Sequence, residues 1–548
     1  MDYDVIIVGM GPVGALCANL AGMWGLNALV VDKSETVYTN PRAMGFDHEV
    51  MRVFGNIGLA NEIAEHVMPY RPSEYRTTGS RLIKRIDAAK PPFALGWAPN
   101  YVFSQPPVER ALRSKIADLK SVTVELGSEV LSVDSSGSQA QVRIQAKDGI
   151  ERTVTADYVL ACDGGTSPIR TRLGLKMEDL AFDEPWLVVD VILNEGAGEH
   201  LPKTNVQFCE LARPCTFVVG PGRHRRWEFM INPDEQPSEI SQPEAIKKLI
   251  ARWLPEGDYQ LWRASAYRFH ALILEQWKAD RVFFLGDAAH MTPPFLAQGM
   301  CQGIRDALNL VWKLALVKGG LAAPAFLNTY QTERIPHVRQ TTMAAKEFGG
   351  VICERDSEKA AIRDARLIQQ MTENPDGIIR QSLIPGLSQG FVAQVAPAGE
   401  LFPQPMVINH AGKQALLDEF TGQSFRVVIA PGFDASALLR CLHSSQSLKG
   451  LPIHVVRLVS AQQPGTRTAD DYQEVDGVLA QWLERRGCNV VIVRPDHYVY
   501  GGAVTVAWAM ELLEGMELAL WCKEPEQAAQ VHGGTCDTTI RFAQALSQ

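Results

Sequence analysis

The first residues with a chemical signature are three glycines near the start of the chain. Gly9, Gly11 and Gly14 form the pattern GxGxxG, and an acid, Asp32, follows 18 residues after Gly14. In this pattern the first glycine permits a tight turn, the second lets a pyrophosphate approach the backbone, and the third lets a helix pack closely on a strand. An acid at this distance accepts hydrogen bonds from ribose hydroxyls. The residues therefore predict a site for the ADP half of a dinucleotide. They do not decide whether this dinucleotide is FAD or NAD.

The elements around these glycines have the order that such a site needs. Residues 3–8 are a short apolar run typical of a buried strand, and residues 28–31 form a second one that ends at Asp32. Between them, apolar side chains recur at helical spacing from Val13 to Trp24, which predicts a helix with one apolar face. A strand, a helix and a strand in this order predict a parallel sheet with a right-handed crossover.

Two later segments combine an acid with small residues directly after a predicted strand. The strands are predicted at 158–161 and 281–285. The segments that follow them are Cys162–Arg170, with Asp163 and Gly164, and Gly286–His290, with Asp287 and the nearby Pro293. Ligands of open α/β sheets bind at the carboxyl ends of the strands, so both segments are predicted to face the same ligand as the glycine loop.

Together the three segments resemble the GxGxxG, DG and GD motifs of the flavoprotein aromatic hydroxylases, the single-component family related to p-hydroxybenzoate hydroxylase. The resemblance covers residues 1 to about 350, with the motifs in the family's order and spacing. Three further segments resemble the 3-(3-hydroxyphenyl)propionate hydroxylase and phenol hydroxylase branch, namely Pro41–Gly45, Arg226–Met230 and Asn309–Leu314. The resemblance implies FAD as the bound cofactor and NADH or NADPH as a transient co-substrate.

The resemblance also implies which residues contact FAD. Asp287 would bind the ribityl and ribose region, and Asp163 the stretch where NAD(P)H meets the pyrophosphate. Arg42 and Gln105 would contact the ribose and the phosphates. The full set of implied cofactor contacts is Gly9, Gly11, Pro12, Gly14, Asp32, Lys33, Arg42, Gln105, Asp163, Gly164, Gly286, Asp287, Pro293, Gln298, Gly299 and Met300.

The pyrimidine edge of the flavin is assigned in the same way. Backbone N–H groups of residues 298–300 would face it, at the N-terminus of a helix predicted at 304–317. A helix N-terminus stabilises negative charge by about 0.3 to 2 kcal/mol, which favours the anionic reduced flavin. Cys301 departs from the family, which often has Asn there, so only its backbone is expected to serve.

The implied activity is hydroxylation of a phenolic ring in aromatic catabolism with NAD(P)H and O₂, through a C4a-hydroperoxyflavin. A phenol reacts faster when its hydroxyl is deprotonated, so a general base helps by about 10²- to 10⁴-fold. His48, with Asp47 behind it, is the predicted base. An exposed polar pair at the start of a helix is the simpler alternative for these two residues. His290 lies near the flavin by its motif, and we interpret it as a packing residue.

Composition limits the class of protein. The net charge is −9 and the isoelectric point about 5.8, which argues against nucleic acid as a partner. None of the ten cysteines has CxxC spacing, so no metal site is expected, and the thiols should be reduced in the cytoplasm. No apolar run approaches the roughly 18 residues of a membrane span, so a soluble protein without a membrane partner is expected.

The chain length predicts two to four domains. We expect an α/β fold with a Rossmann-like FAD-binding domain at 1–180 and 276–395 and an inserted, mostly antiparallel substrate domain at 181–275. A stretch rich in Pro and Gly at about 375–400 marks a boundary. Residues 400–548 resemble the thioredoxin-like domain of the phenol hydroxylase branch. This last domain lacks CxxC, so packing or formation of a homodimer is its expected role.

Other functions share some of these features. A tailoring hydroxylase acting on a polycyclic aromatic polyketide has the same motifs and C-terminal domain, so this alternative stays open. The sequence lacks the WxWxIP segment of halogenases and the paired cysteines of disulfide reductases, which disfavours both classes. A non-catalytic FAD-binding protein would need no substrate domain. The sequence leaves open the aromatic substrate and the choice between NADH and NADPH.

Overall fold

The computed structural model describes residues 2–87, 90–373, 384–445, 448–459 and 467–522. The chain forms two compact units. The first unit comprises Met1–Leu308 and Val338–Pro385, and the second comprises Asn309–His337 and Gly386–Gln548. The division falls inside two long helices.

The helices and strands are numbered along the chain. The strands of the first unit are β1 (Tyr3–Val8), β2 (Ala28–Asp32), β3 (Gly45–Asp47), β4 (Val67–Pro69), β5 (Ser73–Thr77), β6 (Leu82–Ile86), β7 (Asn100–Phe103), β8 (Val122–Leu126), β9 (Glu129–Asp134), β10 (Ala140–Gln145), β11 (Glu151–Ala161), β12 (Met177–Leu193), β13 (Asn205–Cys209), β14 (Cys215–Val219), β15 (His224–Met230), β16 (Tyr259–Leu274), β17 (Lys278–Ala279), β18 (Val282–Phe284) and β19 (His290–Met291). Its helices are α1 (Pro12–Met23), α2 (His48–Asn56), α3 (Gln105–Lys115), α4 (Pro168–Arg172), α5 (Pro237–Ile240), α6 (Pro243–Ile250), α7 (Gly299–Lys318), α8 (Thr329–Cys353) and α9 (Ser357–Glu373), of which α7 and α8 contain the two divisions. The second unit adds β20 (Met406–Ile408), β21 (Gln414–Leu416), β22 (Phe425–Ile429), β23 (Ile453–Leu458), β24 (Asp471–Glu474), β25 (Val490–Val493), β26 (Val499–Ala503), α10 (Asp418–Thr421), α11 (Ser436–Ser444), α12 (Val478–Arg486) and α13 (Val506–Trp521).

An eight-stranded sheet carries the glycine motif and confirms the predicted strand–helix–strand unit. Its order is β17-β18-β11-β1-β2-β8, and β10 and β9 continue from β11. The pairs β1–β2, β1–β11, β11–β18 and β2–β8 are parallel. Val8 lies opposite Val31 in one neighbouring strand and opposite Ala161 in the other. The carboxyl ends of these three strands, with Asp32 at the end of β2 and Cys162 directly after β11, therefore meet at one edge of the sheet.

The second eight-stranded sheet is mostly antiparallel, as predicted for the middle of the chain. Its order is β19-β16-β12-β15-β14-β13-β5-β6, and β13–β5 is its one parallel pair in the described residues. The sheet extends beyond the expected limits of 181–275, because β12 starts at Met177 and two strands come from residues 73–86. Pairing between β5 and β13 joins distant segments, and no local pattern in the sequence indicates such a pairing.

A small three-stranded sheet positions the segment that contains the candidate base. Its order is β3-β7-β4, and both pairs are antiparallel. Phe46 of β3 stacks on Tyr101 with ring centroids 5.3 Å apart and meets Phe103 edge-on at 5.0 Å. These packed rings fix the end of β3, where α2 begins at His48.

The second unit contains a seven-stranded sheet of order β21-β20-β24-β23-β22-β25-β26. The strands β22, β23 and β24 are parallel, whereas β25 is antiparallel to β22 and β26 to β25. The strands β22 and β23 coincide with two apolar runs of the sequence. The thioredoxin-like assignment stays a prediction. The predicted break at 375–400 lies partly outside the described residues, since these exclude 374–383.

Three further properties belong to the part of the chain that the structure describes. Within it, no helix is both long enough and apolar enough to cross a bilayer. The same residues contain no cluster of three or more His, Cys, Asp and Glu side chains that could hold a metal ion. The nine described cysteines are all free thiols.

Candidate functional site

The glycine loop between β1 and α1 is closely packed on one side and open on the other. Gly9 has a φ of +97°, and a Cβ there would lie 2.4 Å from the carbonyl oxygen of Cys162. A Cβ on Gly14 would lie 1.9 Å from the carbonyl oxygen of Gly9. At Gly11, in contrast, a Cβ would meet no atom of the described residues within 4 Å. The open side at the N-terminus of α1 suits a pyrophosphate, as the sequence predicts.

Asp32 closes the loop from the end of β2. One carboxylate oxygen accepts a hydrogen bond from the Met10 backbone N–H at 2.6 Å, and the other accepts one from the Ser34 N–H at 2.7 Å. The side chain stays partly exposed, and the next residue, Lys33, is exposed. A carboxylate oxygen accepts more than one hydrogen bond, so Asp32 can hold the loop and still bind ribose hydroxyls.

The second segment contains an acid with unused hydrogen-bonding capacity. One oxygen of Asp163 accepts a hydrogen bond from the Ile169 N–H at 3.3 Å, while the other is buried without a partner in the described residues. Burial raises the pKa of this carboxyl. Arg170 donates hydrogen bonds to the carbonyl oxygens of Ala288 at 2.9 Å and Gly165 at 2.5 Å, which ties this segment to the third one.

The third segment is held by close packing and by a buried acid. Gly286, with a φ of +59°, donates its N–H to Asp306 at 2.9 Å. A Cβ on Gly303 of α7 would lie 3.0 Å from the Cα of Gly286, so helix and loop touch through glycines. His290 is fully buried, lies 2.8 Å from Asp306 and stacks on Trp277, which agrees with a packing role.

Asp287 differs from its neighbours in this segment. Its side chain is exposed, whereas the residues on both sides of it are buried. Desolvation by the surrounding protein nevertheless raises the pKa of its carboxyl. Both properties are expected of a group that lines an open recess, and such a recess suits the ribose and ribityl hydroxyls assigned to it.

The structure brings Arg42 and Gln105 together. Gln105 Oε1 accepts hydrogen bonds from the backbone N–H groups of Arg42 at 3.2 Å and Ala43 at 2.7 Å. The Arg42 guanidinium is exposed and lies 4.9 Å from the centroid of the Tyr38 ring. Gln105 therefore holds the backbone of the loop in place. The exposed guanidinium of Arg42 is available to bind a phosphate.

Sequence reasoning missed a second support of this loop. Arg226 of β15 forms a two-point ion pair with Asp190 of β12 at 2.7 and 3.0 Å, and both residues are buried. The same guanidinium donates hydrogen bonds to the carbonyl oxygens of Arg42 at 2.9 Å and Pro41 at 3.2 Å. The segment Arg226–Met230 was the available signal, but its acidic partner on another strand has no pattern of its own.

A buried polar cluster lies beneath the turn that leads into α7. Gln298 donates a hydrogen bond to Asp47 at 3.1 Å and accepts one from Arg305 at 2.9 Å. Arg305 also pairs with Asp47 and with Glu49, at 2.5 Å each. We call these four residues the Arg305 cluster. It links the residues before α2 to the turn at Ala297, whose φ is +54°. Arg305 was not predicted from the sequence.

The neighbouring residues of the turn are placed as follows. Gly299 and Met300 begin α7, so their backbone N–H groups lie in its first turn. The Cys301 thiol is buried and donates to the carbonyl oxygen of Ala297 at 3.3 Å, and burial raises its pKa well above the usual range. The thiol is thus used within the helix, and the N-terminus of α7 is left for a ligand.

The two candidate catalytic residues have different surroundings. Asp47 is buried, accepts the Val50 N–H at 3.2 Å and thereby caps α2. Burial would raise its pKa, but Arg305 and His48 lower it overall. His48 is partly buried, and its pKa falls to about 4, mainly through desolvation and partly through Arg305 and Arg52, against the opposing effect of Asp47. The imidazole is therefore neutral at neutral pH, and the pair is not the exposed one of the simpler alternative.

The site offers separate places for the ADP half of FAD and for its isoalloxazine ring. The open face of Gly11 and the unpartnered oxygen of Asp163 are available for the first, and the N-terminus of α7 is available for the second. A parallel sheet with three such loop ends at one edge is the arrangement of a dinucleotide-binding protein.

The chain belongs to the family described as FAD binding domain, whose family model matches residues 2–345. A second model, described as HcaD C-terminal domain, matches residues 399–515. This match concerns the part of the chain for which a separate C-terminal domain was predicted.

Curated relatives resemble the chain over almost its full length. The 3-(3-hydroxy-phenyl)propionate/3-hydroxycinnamic acid hydroxylase 2 of Burkholderia vietnamiensis is 31% identical over 96% of this chain and 97% of its own. The probable NADH-specific resorcinol 4-hydroxylase of Rhodococcus jostii is 35% identical over 91% of both chains. These relatives confirm the predicted class, an FAD-dependent aromatic hydroxylase.

Solved structures confirm the fold. The flavin-dependent monooxygenase PieE in complex with FAD and substrate superposes with a TM-score of 0.80 and 20% identity, over 95% of this chain and 99% of that one. Aklavinone-11 hydroxylase with FAD and aklavinone gives a TM-score of 0.75 at 20% identity, over 95% and 99%. At this identity the likeness concerns the fold alone.

Proposed function

We propose that this chain hydroxylates a small phenolic compound in aromatic catabolism, with NADH as the electron donor and O₂ as the oxidant. The observation that carries the proposal is the near-complete coverage by relatives whose names specify small phenols. NADH is proposed over NADPH because one of these relatives is named as NADH-specific.

FAD would be held by the residues that the three strand ends bring together. Gly11 would admit the pyrophosphate, Asp32 would bind the adenosine ribose, and Asp287 would bind the hydroxyls nearer the ring. Arg42 would add a positive charge beside the phosphates. When bound, the flavin supplies hydride acceptance from NADH and activation of O₂.

The chain itself would position the ring and the charge that develops on it. The first N–H groups of α7 point along the helix axis, and a helix N-terminus stabilises an anion by about 0.3 to 2 kcal/mol. The Arg305 cluster would keep the turn before α7 in one conformation, because Gln298 contacts both Asp47 and Arg305.

His48 would accept the proton of the substrate hydroxyl. Desolvation keeps its imidazole neutral at neutral pH, which is the state that accepts a proton. A base with such a low pKa is weak, so we expect it to take the proton as the ring is attacked rather than to form a stable phenolate beforehand.

The test begins with the purified protein and its absorption spectrum. NADH and NADPH oxidation is then followed with resorcinol and with 3-(3-hydroxyphenyl)propionate, and the products are identified by mass spectrometry. A faster oxidation of NADH together with a product heavier by one oxygen supports the proposal. A protein that contains no flavin, or one that yields only hydrogen peroxide with both phenols, would contradict the proposed function.

The tailoring hydroxylase on a polycyclic aromatic polyketide is the second candidate. Among the solved structures of similar fold, aklavinone-11 hydroxylase holds aklavinone, and this likeness concerns the fold alone. Hydroxylation of a polycyclic phenol with no turnover of the two small phenols would make it the better proposal. The homodimer and the cytoplasmic location stay predictions beside either function.

A further inference from the structure

A chain of three polar side chains follows one face of α3. The helix begins at Gln105, and residues four apart lie on the same face, so Gln105, Glu109 and Arg113 are neighbours. Gln105 Nε2 donates a hydrogen bond to one carboxylate oxygen of Glu109 at 3.3 Å, and Arg113 Nη2 donates to the other at 3.0 Å. Gln105 and Glu109 are both more than nine-tenths buried, so the hydrogen bond between them is shielded from water.

The opposite side of the Gln105 amide faces the backbone of the loop that carries Arg42. Its Oε1 accepts hydrogen bonds from the N–H groups of Arg42 and Ala43 at 3.2 and 2.7 Å. Arg226 binds the carbonyl oxygens of Pro41 and Arg42. The backbone of residues 41–43 is therefore held on its carbonyl side by Arg226 and on its N–H side by Gln105.

The Gln105 amide makes both sets of contacts in only one of its two orientations. An ionised carboxylate has acceptors only, so the amide group that faces Glu109 must be the NH₂. An amide turned by 180° would direct its oxygen at the carboxylate and its NH₂ at the two backbone N–H groups, and all three hydrogen bonds would be lost. Glu109 therefore stabilises the orientation in which Gln105 holds the loop.

Arg113 fixes the Glu109 carboxylate from the other side. Burial raises the pKa of this carboxyl, and Arg113 and Gln105 oppose the rise. Nε and Nη1 of Arg113 are buried without a partner in the described residues, so the guanidinium uses its Nη2 on Glu109 alone within this part of the chain. The carboxylate thus lies between one cation and one amide, with an oxygen for each.

We propose that Glu109 is a positioning residue for FAD, which acts through the Gln105 amide on the backbone of residues 42 and 43. The inference rests on the proposed placing of Arg42 beside the FAD phosphates and deepens it, because the conformation of this backbone sets where the Arg42 guanidinium lies. Glu109 itself needs no contact with the cofactor.

Two neutral variants of similar length separate the hydrogen bond from the charge. Glu109→Gln keeps an acceptor for Gln105 and Glu109→Met has none, while both lose the charge and the ion pair with Arg113. The rate of FAD release is followed by flavin fluorescence after dilution of the holoenzyme, so no turnover is needed. We expect Glu109→Met to release FAD about 10-fold faster than Glu109→Gln, the effect of one hydrogen bond. Loss of the negative charge alone would affect the two variants equally.

The same comparison beside Gln105→Met shows whether the effect passes through Gln105. We expect the two Glu109 variants to release FAD at the same rate in that background, because the amide that tells them apart is gone. Glu109→Asp serves if Glu109→Met does not fold. It keeps the charge, and the long side chain of Arg113 can follow it, but the carboxylate is one methylene further from Gln105. FAD release from Glu109→Asp should be about 10-fold faster than from the wild type.

Equal release from Glu109→Gln and Glu109→Met, or a difference that persists beside Gln105→Met, overturns the role of Glu109. A wild-type rate of release from Glu109→Asp also overturns it. Arg42→Met tests the placing of Arg42 separately. If Arg42→Met releases FAD as slowly as the wild type, that placing is wrong and the inference falls with it. These rates do not depend on hydroxylation of any phenol, so failure of the proposed reaction and failure of this inference are distinguishable.

Discussion

Among the individual residues, the burial of His48 determines when it can accept a proton. With a pKa of about 4, the His48 imidazole is neutral from pH 6 to 9. Titration of His48 should therefore cause no change of activity in that range. For His48→Ala we expect hydroxylation about 10²- to 10⁴-fold slower, with flavin content unchanged. The measurement is the single-turnover rate of hydroxylation across pH. His410→Ala, at an exposed position of the second unit, is the matched control, and an unchanged rate in His48→Ala would remove His48 as the base.

Gly11 allows the phosphate site to be tested without harming the fold. A Cβ there would meet no atom of the described residues within 4 Å, so we expect Gly11→Val to fold with an unchanged thermal midpoint. It should weaken FAD binding by about 10²-fold, since it blocks the approach of the pyrophosphate to the backbone of the glycine loop. Gly14→Ala is the informative contrast, because its Cβ would lie 1.9 Å from the Gly9 carbonyl oxygen and should destabilise the apoprotein itself. Unchanged FAD affinity in Gly11→Val would contradict the assignment.

Among the helices and strands, the Arg305 cluster connects the start of α2 with the start of α7. Arg305→Met would remove the guanidinium that pairs with the buried carboxylates of Asp47 and Glu49 and that donates to Gln298. We expect a larger fraction of NADH oxidation to end in peroxide, since the turn that we propose to position the flavin loses its ion pairs and a hydrogen bond. Arg305 also lowers the pKa of His48, so the acid limb of the pH–rate profile should move upward in this variant. If Arg305→Met forms no more peroxide than the wild type and the acid limb of its pH–rate profile stays at the same pH, the cluster only stabilises the fold.

The sequence predicted the elements that follow a local rule. The strand–helix–strand unit around Gly9 and the strands of the second unit follow periodic apolar patterns. The pairing of β5 with β13 and the contact between Arg305 and Asp47 could not be predicted, because both join residues far apart in the chain. The position of Asp47 was indicated by its place before a helix, but its orientation towards Arg305 depends on tertiary packing.

On the scale of the whole molecule, the second unit encloses a buried group of charges from three distant parts of the chain. Glu333 of α8 lies 2.8 Å from Lys313 of α7 and 2.7 Å from Arg494, and Arg494 also pairs with Asp496 at 2.5 Å. All four side chains are fully or almost fully buried. Two positive and two negative charges balance, so removal of one leaves an uncompensated charge. Lys313 lies in the segment Asn309–Leu314 that resembles the hydroxylase branch, which gives this segment a structural role.

Glu333→Gln should therefore destabilise the second unit by about 3 to 5 kcal/mol, the usual result of breaking a buried ion pair. The two cations lower the pKa of Glu333 to about 2, although burial alone would raise it. A carboxyl whose pKa is lower in the folded state contributes stability above its unfolded pKa of about 4.5 and loses that contribution as the pH falls towards 2. The free energy of unfolding of the wild type, measured in urea, should thus decrease as the pH falls across this range. The free energy of unfolding of the variant should depend less on pH. Glu511→Gln, on the exposed side of α13, should change the free energy of unfolding by no more than about 0.5 kcal/mol. Equal stability of Glu333→Gln and the wild type at pH 7 would mean that the buried charges do not hold this unit together.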